Sequence, residues 1–372
     1  MESGRDIVVI GAGVVGCAVA YELARRGASV QVIDDRPVGM GATQASAGVL
    51  APYIEARDEG PLSRLVVRSL ELYDEFMDRV ASASDVNVAY RRTGSLDVAL
   101  DHEAMNRLEA AAQRLAGYGV NARLLDAGAV RAEEPQLTTN AVGGLVIPSH
   151  GFVAAHDLTR ALAAAARRHG AQVLERNRVT RISRIGDDLI VETERGSLTG
   201  TGVVLAAGSW AGQIDIEGVA PRISIRPVRG QLLRLAWHGP LLRRVIWGEH
   251  CYFVPWDDGT VLVGATVEDV GFDERVTVAG VRELVVAACE LVPHASVAGL
   301  TVANAGLRPV SNDCVPAIGA SSVLPGLMYA TGHYRNGVLL APLTAQLVAD
   351  VMLDGRIDPL LEVTRPQRFG EL

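Results

Sequence analysis

Three glycines and one acid near the start of the chain have the spacing of a dinucleotide-binding turn. Gly11, Gly13 and Gly16 follow an apolar run, and Asp34 ends a second apolar run 18 residues beyond Gly16. The first glycine permits a tight bend, the second lets the backbone approach a pyrophosphate, and the third lets a helix pack closely on a strand. The Asp34 carboxylate is placed to accept hydrogen bonds from a ribose. The pattern predicts an adenine dinucleotide and leaves NAD and FAD open.

The elements around this turn strengthen the prediction. A strand over Asp6–Ile10, a helix over 17–27 and a strand over 29–34 occur in the required order, and the helix N-terminus would offer free N–H groups to the phosphates. Without that order, an ordinary βαβ unit explains the glycines equally well. Asp35 can share the role of Asp34, and two neighbouring acids would repel a 2′-phosphate.

A second group of residues suggests an anion site. Arg308 lies in the largely apolar segment 302–310, where an unpaired buried guanidinium would cost several kcal/mol, so we expect an anionic partner. The residues alone leave open whether that partner is a protein acid or a ligand carboxylate. Tyr252 is equally explained as a half-buried strand aromatic, and Arg335 as a helix-start residue paired with a local acid.

Cysteine and histidine spacing predicts neither a disulfide framework nor a metal site. The four cysteines form no CxxC pair, and the eight histidines form no HExxH or comparable pattern. We therefore expect free thiols and no bound metal.

The composition predicts a globular protein without nucleic-acid or membrane partners. The 372 residues are 49% hydrophobic and 21% charged, with a net charge of −8, whereas nucleic-acid binding needs a basic surface. The chain enters its first strand without a signal region. The longest apolar run, 338–353, is interrupted by Pro342 and polar residues and falls short of the roughly 20 residues that span a bilayer. We expect a cytoplasmic location.

The remaining pattern predicts helices at both ends of the chain and a strand-rich middle. Residues 179–206 read as an antiparallel meander with strands over 179–185, 189–194 and 202–206, and residues 224–265 as alternating strands with turns at Gly230, Gly239 and 257–259. Helices are predicted over 61–83, 103–118, 127–134, 156–169 and 277–291, and further strands over 171–174 and 300–307.

We therefore expect an α/β fold with a Rossmann-like dinucleotide domain and an inserted, mostly antiparallel α+β substrate domain. The dinucleotide domain is predicted to consist of residues 1–86, 150–220 and 308–372. The substrate domain is predicted to consist of residues 87–149 and 221–307.

Three stretches favour a flavin over a nicotinamide. Residues 41–52 combine small side chains with hydroxyls, 203–208 end an apolar strand at Gly208, and 330–340 lead into a C-terminal helix. The N-terminus of that helix could stabilise the negative charge that develops on a reduced flavin. The first stretch alone is also explained as a flexible loop, and the second as an ordinary strand end.

With the opening motif, these stretches resemble the FAD-dependent D-amino-acid oxidase superfamily, most closely its glycine oxidase family, over essentially the whole chain. The segments that carry the resemblance are 48–52, 251–255, 263–266, 305–309 and 332–342. The resemblance places flavin contacts at Val14, Val15, Asp34, Asp35, Ala42, Thr43, Ala47, Gly48, Val49, Val179, His333, Tyr334, Arg335, Asn336, Gly337, Val338 and Leu339.

The resemblance also implies an activity. Arg308 and Tyr252 would bind a substrate carboxylate and Arg335 would line the site, while hydride passes from the α carbon to non-covalent FAD. The products would be an imino or oxo acid, ammonia and hydrogen peroxide, with molecular oxygen as acceptor and a role in thiamine synthesis. A homo-oligomer is expected. Cys314 does not match the register of the cysteine that tethers flavin in sarcosine oxidases.

Other functions remain open on the sequence. Within the superfamily, the chain could be a sarcosine or D-amino-acid oxidase, or a dehydrogenase that passes electrons to a carrier. An RNA-modifying flavoprotein is disfavoured by the acidic net charge. A non-catalytic nucleotide-binding module would leave Arg308 and Tyr252 without a shared purpose.

Overall fold

The chain combines a parallel sheet at its core with a large, mainly antiparallel sheet. A computed structural model describes residues 6–55, 60–220 and 222–372; the other positions of the predicted domains, 1–5, 56–59 and 221, lie outside the described residues. The strands are β1 (Asp6–Ile10), β2 (Ser29–Ile33), β3 (Val49–Leu50), β4 (Tyr90–Arg91), β5 (Ser95–Ala99), β6 (Arg123–Asp126), β7 (Gly143–Ile147), β8 (Gly151–Val153), β9 (Gln172–Leu174), β10 (Val179–Ile185), β11 (Asp188–Thr193), β12 (Gly196–Gly200), β13 (Gly202–Leu205), β14 (Asp215–Ile216), β15 (Ile225–Ala236), β16 (Val245–Trp247), β17 (Tyr252–Pro255), β18 (Thr260–Gly264), β19 (Gly299–Ser311), β20 (Ala317–Ala320) and β21 (Leu327–Thr331). The helices are α1 (Val14–Arg25), α2 (Pro52–Glu55), α3 (Pro61–Glu71), α4 (Tyr73–Ala83), α5 (His102–Gly117), α6 (Ala127–Glu133), α7 (Ala155–Arg168), α8 (Val278–Leu291), α9 (Gly337–Ala349) and α10 (Leu361–Thr364).

The first sheet has the order β20-β21-β13-β1-β2-β9, and β1 lies inside it, parallel to β2 and β13. Residues 7–10 are apolar and buried, as expected for a strand covered on both faces. Three residues separate the end of β1 from the start of helix α1, so the N-terminus of the helix lies at the carboxyl end of β1. The helix packs on α7 and α9. The predicted Rossmann-like α/β fold is confirmed.

The predicted meander over 179–206 is wrong in its third strand. The strand that follows β11 is β12, which pairs antiparallel with β11 in a four-stranded sheet ordered β12-β11-β10-β14. β13 instead joins the parallel sheet between β1 and β21. The polar strand β12, which begins and ends with glycine, has little apolar pattern. The buried, apolar β13 was therefore predicted as the third strand of the meander in its place.

Two further predictions need correction. The helix predicted over 61–83 is two helices, α3 and α4, separated at Leu72. Gly230 is not a turn residue, because it lies in the middle of β15. A glycine inside a strand often marks a place where another group approaches the backbone closely.

The largest sheet has the order β19-β15-β18-β17-β16-β5-β7-β6 and draws its strands from residues 95–147 and 225–311. The six-stranded sheet draws its strands from 6–33, 172–205 and 317–331. We propose the discontinuous two-domain division on this basis, with β19 running through the boundary at 307 and 308.

The helical run at 334–354 has the length and composition of a membrane-spanning helix. The sequence-based expectation that no run reaches that length is therefore wrong. In its most apolar stretch of 18 residues, 72% is buried within the protein, as in a core helix, and its central part, α9, packs on α1 and α3.

Truncation of a core residue of α9 should destabilise the protein more than truncation of an exposed leucine. Leu340 is fully buried, whereas Leu241 is 50% exposed. Leu340→Ala should lower the free energy of unfolding by about 2–5 kcal/mol, and Leu241→Ala by less than about 0.5 kcal/mol. Urea unfolding of the FAD-loaded protein measures both, and equal losses would contradict the burial of α9.

Candidate active site

A cavity of about 450 Å³ lies at the carboxyl ends of β1, β2 and β13. Open parallel sheets bind ligands outside these strand ends. The eight-stranded sheet supplies another part of the wall through the ends of β16, β17, β18 and β19. Residues from both large sheets therefore face one space.

The glycine turn after β1 has the geometry that the sequence predicts. Gly11 has a φ of 111°, and a Cβ there would overlap the Ala206 carbonyl. Gly13, Val14 and Val15 line the cavity. The Val14 N–H donates to the Thr43 hydroxyl over 3.2 Å, which ties the N-terminus of α1 to the loop after β2.

Asp34 lies on the cavity wall at the end of β2. Its carboxylate accepts hydrogen bonds from the Ala12 N–H over 2.6 Å and from the Arg36 N–H over 2.8 Å. Burial raises the pKa of Asp34 to about 6, with the two N–H donors opposing the rise and Asp35 adding to it. Asp35 also lines the cavity but is exposed.

Asn177 and Arg36, which are not among the predicted site residues, also line this part of the cavity. The Asn177 Oδ1 is buried and has no hydrogen-bond partner among the described residues. Arg36 donates two hydrogen bonds to Glu274 over 2.9 and 2.8 Å and lies 4.3 Å from the ring centroid of Trp210. The only available signal was the position of Arg36 two residues after Asp34.

The small-residue loop after β2 forms a further part of the wall. Ala42, Thr43, Ala47, Gly48 and Val49 all line the cavity. At Gly48, φ is 67° and a Cβ would overlap the Val153 carbonyl oxygen, so this position requires glycine. Val179 and Gly208 also line the cavity, and both were predicted.

The C-terminal motif reaches the cavity at the start of α9. His333, Tyr334, Gly337 and Val338 line the wall. The His333 ring is buried, its Nε2 lies 3.0 Å from the Thr344 hydroxyl, and burial lowers the pKa of His333 to about 3. His333 is therefore neutral at ordinary pH.

Three predicted cofactor residues do not line the cavity. At Gly16, a Cβ would overlap the Gly11 carbonyl oxygen, so this glycine permits the packing of α1 on the turn. Asn336 and Leu339 are buried outside the wall. Their neighbours along the chain, Arg335, Gly337 and Val338, line the cavity instead.

Arg308 and Tyr252 both lie on the wall formed by the eight-stranded sheet. Arg308 Nη1 donates to the Thr266 carbonyl oxygen over 3.0 Å. Tyr252 lies 4.9 Å from Trp247, measured between ring centroids. Each side chain lies against a glycine, Arg308 on Gly230 and Tyr252 on Gly264, where a Cβ would overlap it.

Arg335 also borders a second, smaller cavity of about 310 Å³. Trp247, Gly248 and Glu249 line both cavities together with Arg335. The smaller cavity also has Asp97 and Arg107 in its wall. Trp247 has no periodic signal in the sequence, because it ends a strand of three residues.

Both parts of the wall carry charged groups of both signs. Asp34, Asp35 and Glu194 contribute carboxylates near the glycine turn, where Arg36 and Arg178 also lie, and Arg308 and Arg335 contribute guanidinium groups near β17 and β19, where Glu249 also lies. Within 6–55, 60–220 and 222–372, no group of three His, Cys, Asp or Glu side chains is arranged to hold a metal. The site can therefore bind an anionic group beside Arg308 and hydroxyl groups beside Asp34.

The comparison with family models decides the family. A model described as DAO, FAD dependent oxidoreductase, matches residues 6–351. The chain belongs to this family. FAD is accordingly its cofactor, and the orphaned Asn177 Oδ1, the half-buried Asp34 and the open turn at Gly13 suit a dinucleotide.

Individual relatives agree with this family. The chain is 33% identical to glycine oxidase of Geobacillus kaustophilus over 93% of this chain and 92% of the relative. The crystal structure of a glycine oxidase from that organism superposes with a TM-score of 0.93, at 31% identity, covering 98% of this chain and 99% of that one. The bifunctional protein ThiO/ThiG of Nostoc is 36% identical over 96% of this chain, which spans 54% of that longer relative.

The raised pKa of Asp34 predicts that FAD binding weakens in acid. The ionised carboxylate accepts hydrogen bonds from hydroxyl groups, and protonation below a pKa of about 6 removes that acceptor. The Kd for FAD should rise about tenfold from pH 7 to pH 5.

Fluorescence titration of the FAD-free protein measures this Kd at each pH. Asp34→Asn has no carboxylate to titrate, so its Kd should be higher at pH 7 and nearly independent of pH. A wild-type Kd that stays constant from pH 7 to 5 would exclude this role for Asp34.

Proposed function

We propose that this chain catalyses FAD-dependent oxidative deamination of glycine and of other small amines or D-amino acids. The products are an imino or oxo acid, ammonia and hydrogen peroxide. One observation carries the proposal: Arg308, Tyr252 and Arg335 line the same cavity as the glycine turn and Asp34. A carboxylate site beside a dinucleotide site is what an amino-acid oxidase requires.

Arg308 binds the substrate carboxylate in this mechanism. A guanidinium matches a carboxylate with two parallel hydrogen bonds, which fixes orientation as well as charge. Tyr252 donates a further hydrogen bond from its hydroxyl, and Arg335 adds positive potential. The chemistry that bound FAD supplies is acceptance of a hydride from the substrate α carbon, with the electrons passing on to oxygen.

The chain contributes mainly positioning and electrostatics. Burial lowers the pKa of His333 to about 3 and raises the pKa of Cys251 to about 12. Neither group on the wall therefore exchanges protons readily at neutral pH. The substrate amine binds in its neutral form, and alignment of the α carbon provides most of the rate enhancement.

The flavin is held without a covalent bond, and the Asp34 and Asn177 part of the wall holds its adenosine. Cys314 is exposed and is not among the lining residues, which supports non-covalent binding. The similarity to the ThiO/ThiG protein supports a role in thiamine (thiazole) synthesis.

The chain is proposed to be a cytoplasmic homo-oligomer without a nucleic-acid partner. Its four cysteines are all free thiols, as in a reducing compartment. Leu300 and Val302 are exposed on β19, the edge strand of the largest sheet, and such apolar edges are commonly covered in assemblies.

The smaller cavity favours a second candidate substrate class. It adjoins the Arg308 wall through Trp247, Gly248, Glu249 and Arg335, and its volume could accept an N-methyl group or a side chain. Sarcosine or a D-amino acid would then be preferred over glycine.

The amine that reduces the flavin identifies the substrate. Glycine, sarcosine, D-alanine and D-proline are added separately to the yellow protein without oxygen, and absorbance near the flavin band is followed. We expect glycine to bleach the flavin and air to restore the colour with hydrogen peroxide formation. Bleaching by none of the four amines would refute the proposal, and absence of recolouring in air would indicate a dehydrogenase.

Loss of the carboxylate-binding guanidinium should impair substrate binding while FAD stays bound. Arg308→Ala should raise the KM for glycine by about 100-fold, since it removes a charge-assisted bidentate contact worth about 3 kcal/mol. Steady-state oxygen consumption gives the KM, and the ratio of flavin to protein absorbance gives FAD content. Arg226→Ala, on exposed β15 surface away from the cavity wall, is the matched control. Equal kinetics for both variants would remove Arg308 from the site.

A further inference from the structure

Arg308 lies on the backbone of a neighbouring strand. β19 pairs antiparallel with β15 so that Arg308 is opposite Val228 and Gly306 is opposite Gly230. Gly230 is thus a diagonal neighbour of Arg308 on the same face of the sheet. An added Cβ at Gly230 would overlap the Nη1, Cζ and Nη2 atoms of Arg308. The guanidinium of Arg308 therefore occupies the space that a side chain at position 230 would fill.

The backbone carbonyl of Thr266 holds the same guanidinium from another side. Arg308 Nη1 donates to this oxygen over 3.0 Å. Thr266 is itself buried, and its N–H donates to the Gln231 carbonyl oxygen, while the Gln231 N–H donates to the Thr266 hydroxyl over 2.9 Å. The position of the carbonyl therefore depends on the segment that follows β18.

Glu268 fixes that segment. Its carboxylate accepts hydrogen bonds from the Thr266 hydroxyl over 2.6 Å, from the Gln231 amide over 2.8 Å and from Arg229 Nη2 over 2.6 Å. Arg229 is only 4% exposed, and its backbone also pairs with that of Glu268. Burial raises the pKa of Glu268, but the three donors lower it on balance, so the carboxylate is charged.

We propose that Gly230 and Glu268 are positioning residues for substrate carboxylate binding. Gly230 provides the space for the Arg308 guanidinium, and Glu268, acting through Thr266, holds the carbonyl that sets its direction. This inference rests on the proposed function of Arg308 as the carboxylate-binding group. A misplacement of about 1 Å can cost about 100-fold in the alignment of a bound substrate.

The first test compares two glycine-to-alanine variants of the same strand pair. Gly230→Ala displaces the guanidinium, whereas a Cβ at Gly299 would meet only the Ala236 methyl at 3.7 Å. Gly230→Ala should raise the KM for glycine and the Kd for glycolate about tenfold or more, with FAD content and melting temperature close to wild type. Gly299→Ala should leave all four quantities unchanged.

Glycolate binding is measured by the change in the flavin absorption spectrum and does not depend on turnover. A wild-type protein that binds glycolate but does not oxidise glycine would refute the proposed function and still allow this test. A wild-type protein that oxidises glycine, with equal KM and Kd in both variants, would refute the positioning role alone. Wild-type protein that binds neither compound would refute both.

A double-mutant cycle distinguishes positioning from a general structural effect. Lysine has no planar fork to overlap a Cβ at position 230. The rise in glycolate Kd caused by Gly230→Ala should therefore be largely lost when Arg308→Lys is already present. A full, additive effect in the Arg308→Lys background would show that Gly230 acts without Arg308.

The second test compares two adjacent carboxylates. Glu268→Gln places an amide N–H donor opposite the donors of Thr266, Gln231 and Arg229. The Thr266 carbonyl should then shift, and the Kd for glycolate should rise about tenfold. Asp269→Asn removes the same charge one residue away, where the side chain is 75% exposed, and should change the Kd less than twofold. Equal effects would mean that net charge, rather than the Thr266 contact, acts on Arg308. If Glu268→Gln does not fold, the Gly230 variants decide.

Discussion

The close approach of α1 to the end of β1 is the constraint on which the rest of the structure depends. At Gly16, any side chain would overlap the Gly11 carbonyl oxygen, and at Gly11 it would overlap the Ala206 carbonyl. These two glycines let one helix and two strands converge on a point. The N-terminal N–H groups of α1, the Asp34 carboxylate and the end of β13 can therefore face one cavity. Gly16 does not line the cavity, but the cavity can form because Gly16 has no Cβ.

Glycines also permit close approaches in the eight-stranded sheet. Arg308 lies on Gly230 and Tyr252 lies on Gly264, so each polar side chain occupies the volume left by a missing side chain on the next strand. A long side chain held in this way loses its rotamer freedom on folding rather than on binding. The fold thus fixes the Arg308 guanidinium and the Tyr252 hydroxyl before a ligand binds, as the proposed binding of a small carboxylate requires.

The sequence predicts the parallel core well because its signals are local. Apolar β1, the glycine spacing and the acid at the end of β2 lie within 34 residues, and periodicity places α5, α7 and α8 within one residue of their observed ends. The second part of the site depends on strand register. Nothing in the local pattern of β15 distinguishes Gly230 in a strand from Gly230 in a turn, because the group that requires this glycine, Arg308, is 78 residues away.

A long-range ion pair explains why Arg36 was not predicted to line the cavity. Arg36 follows the predicted acids directly, but its place on the wall is set by Glu274, 238 residues further on, and by Trp210. Glu274 belongs to the segment after β18 that also contains Thr266 and Glu268. That segment contacts the Asp34 part of the wall through Arg36 and the part formed by the eight-stranded sheet through Arg308. A single stretch of ten residues, 265–274, therefore relates the position of the loop after β2 to the position of the Arg308 guanidinium.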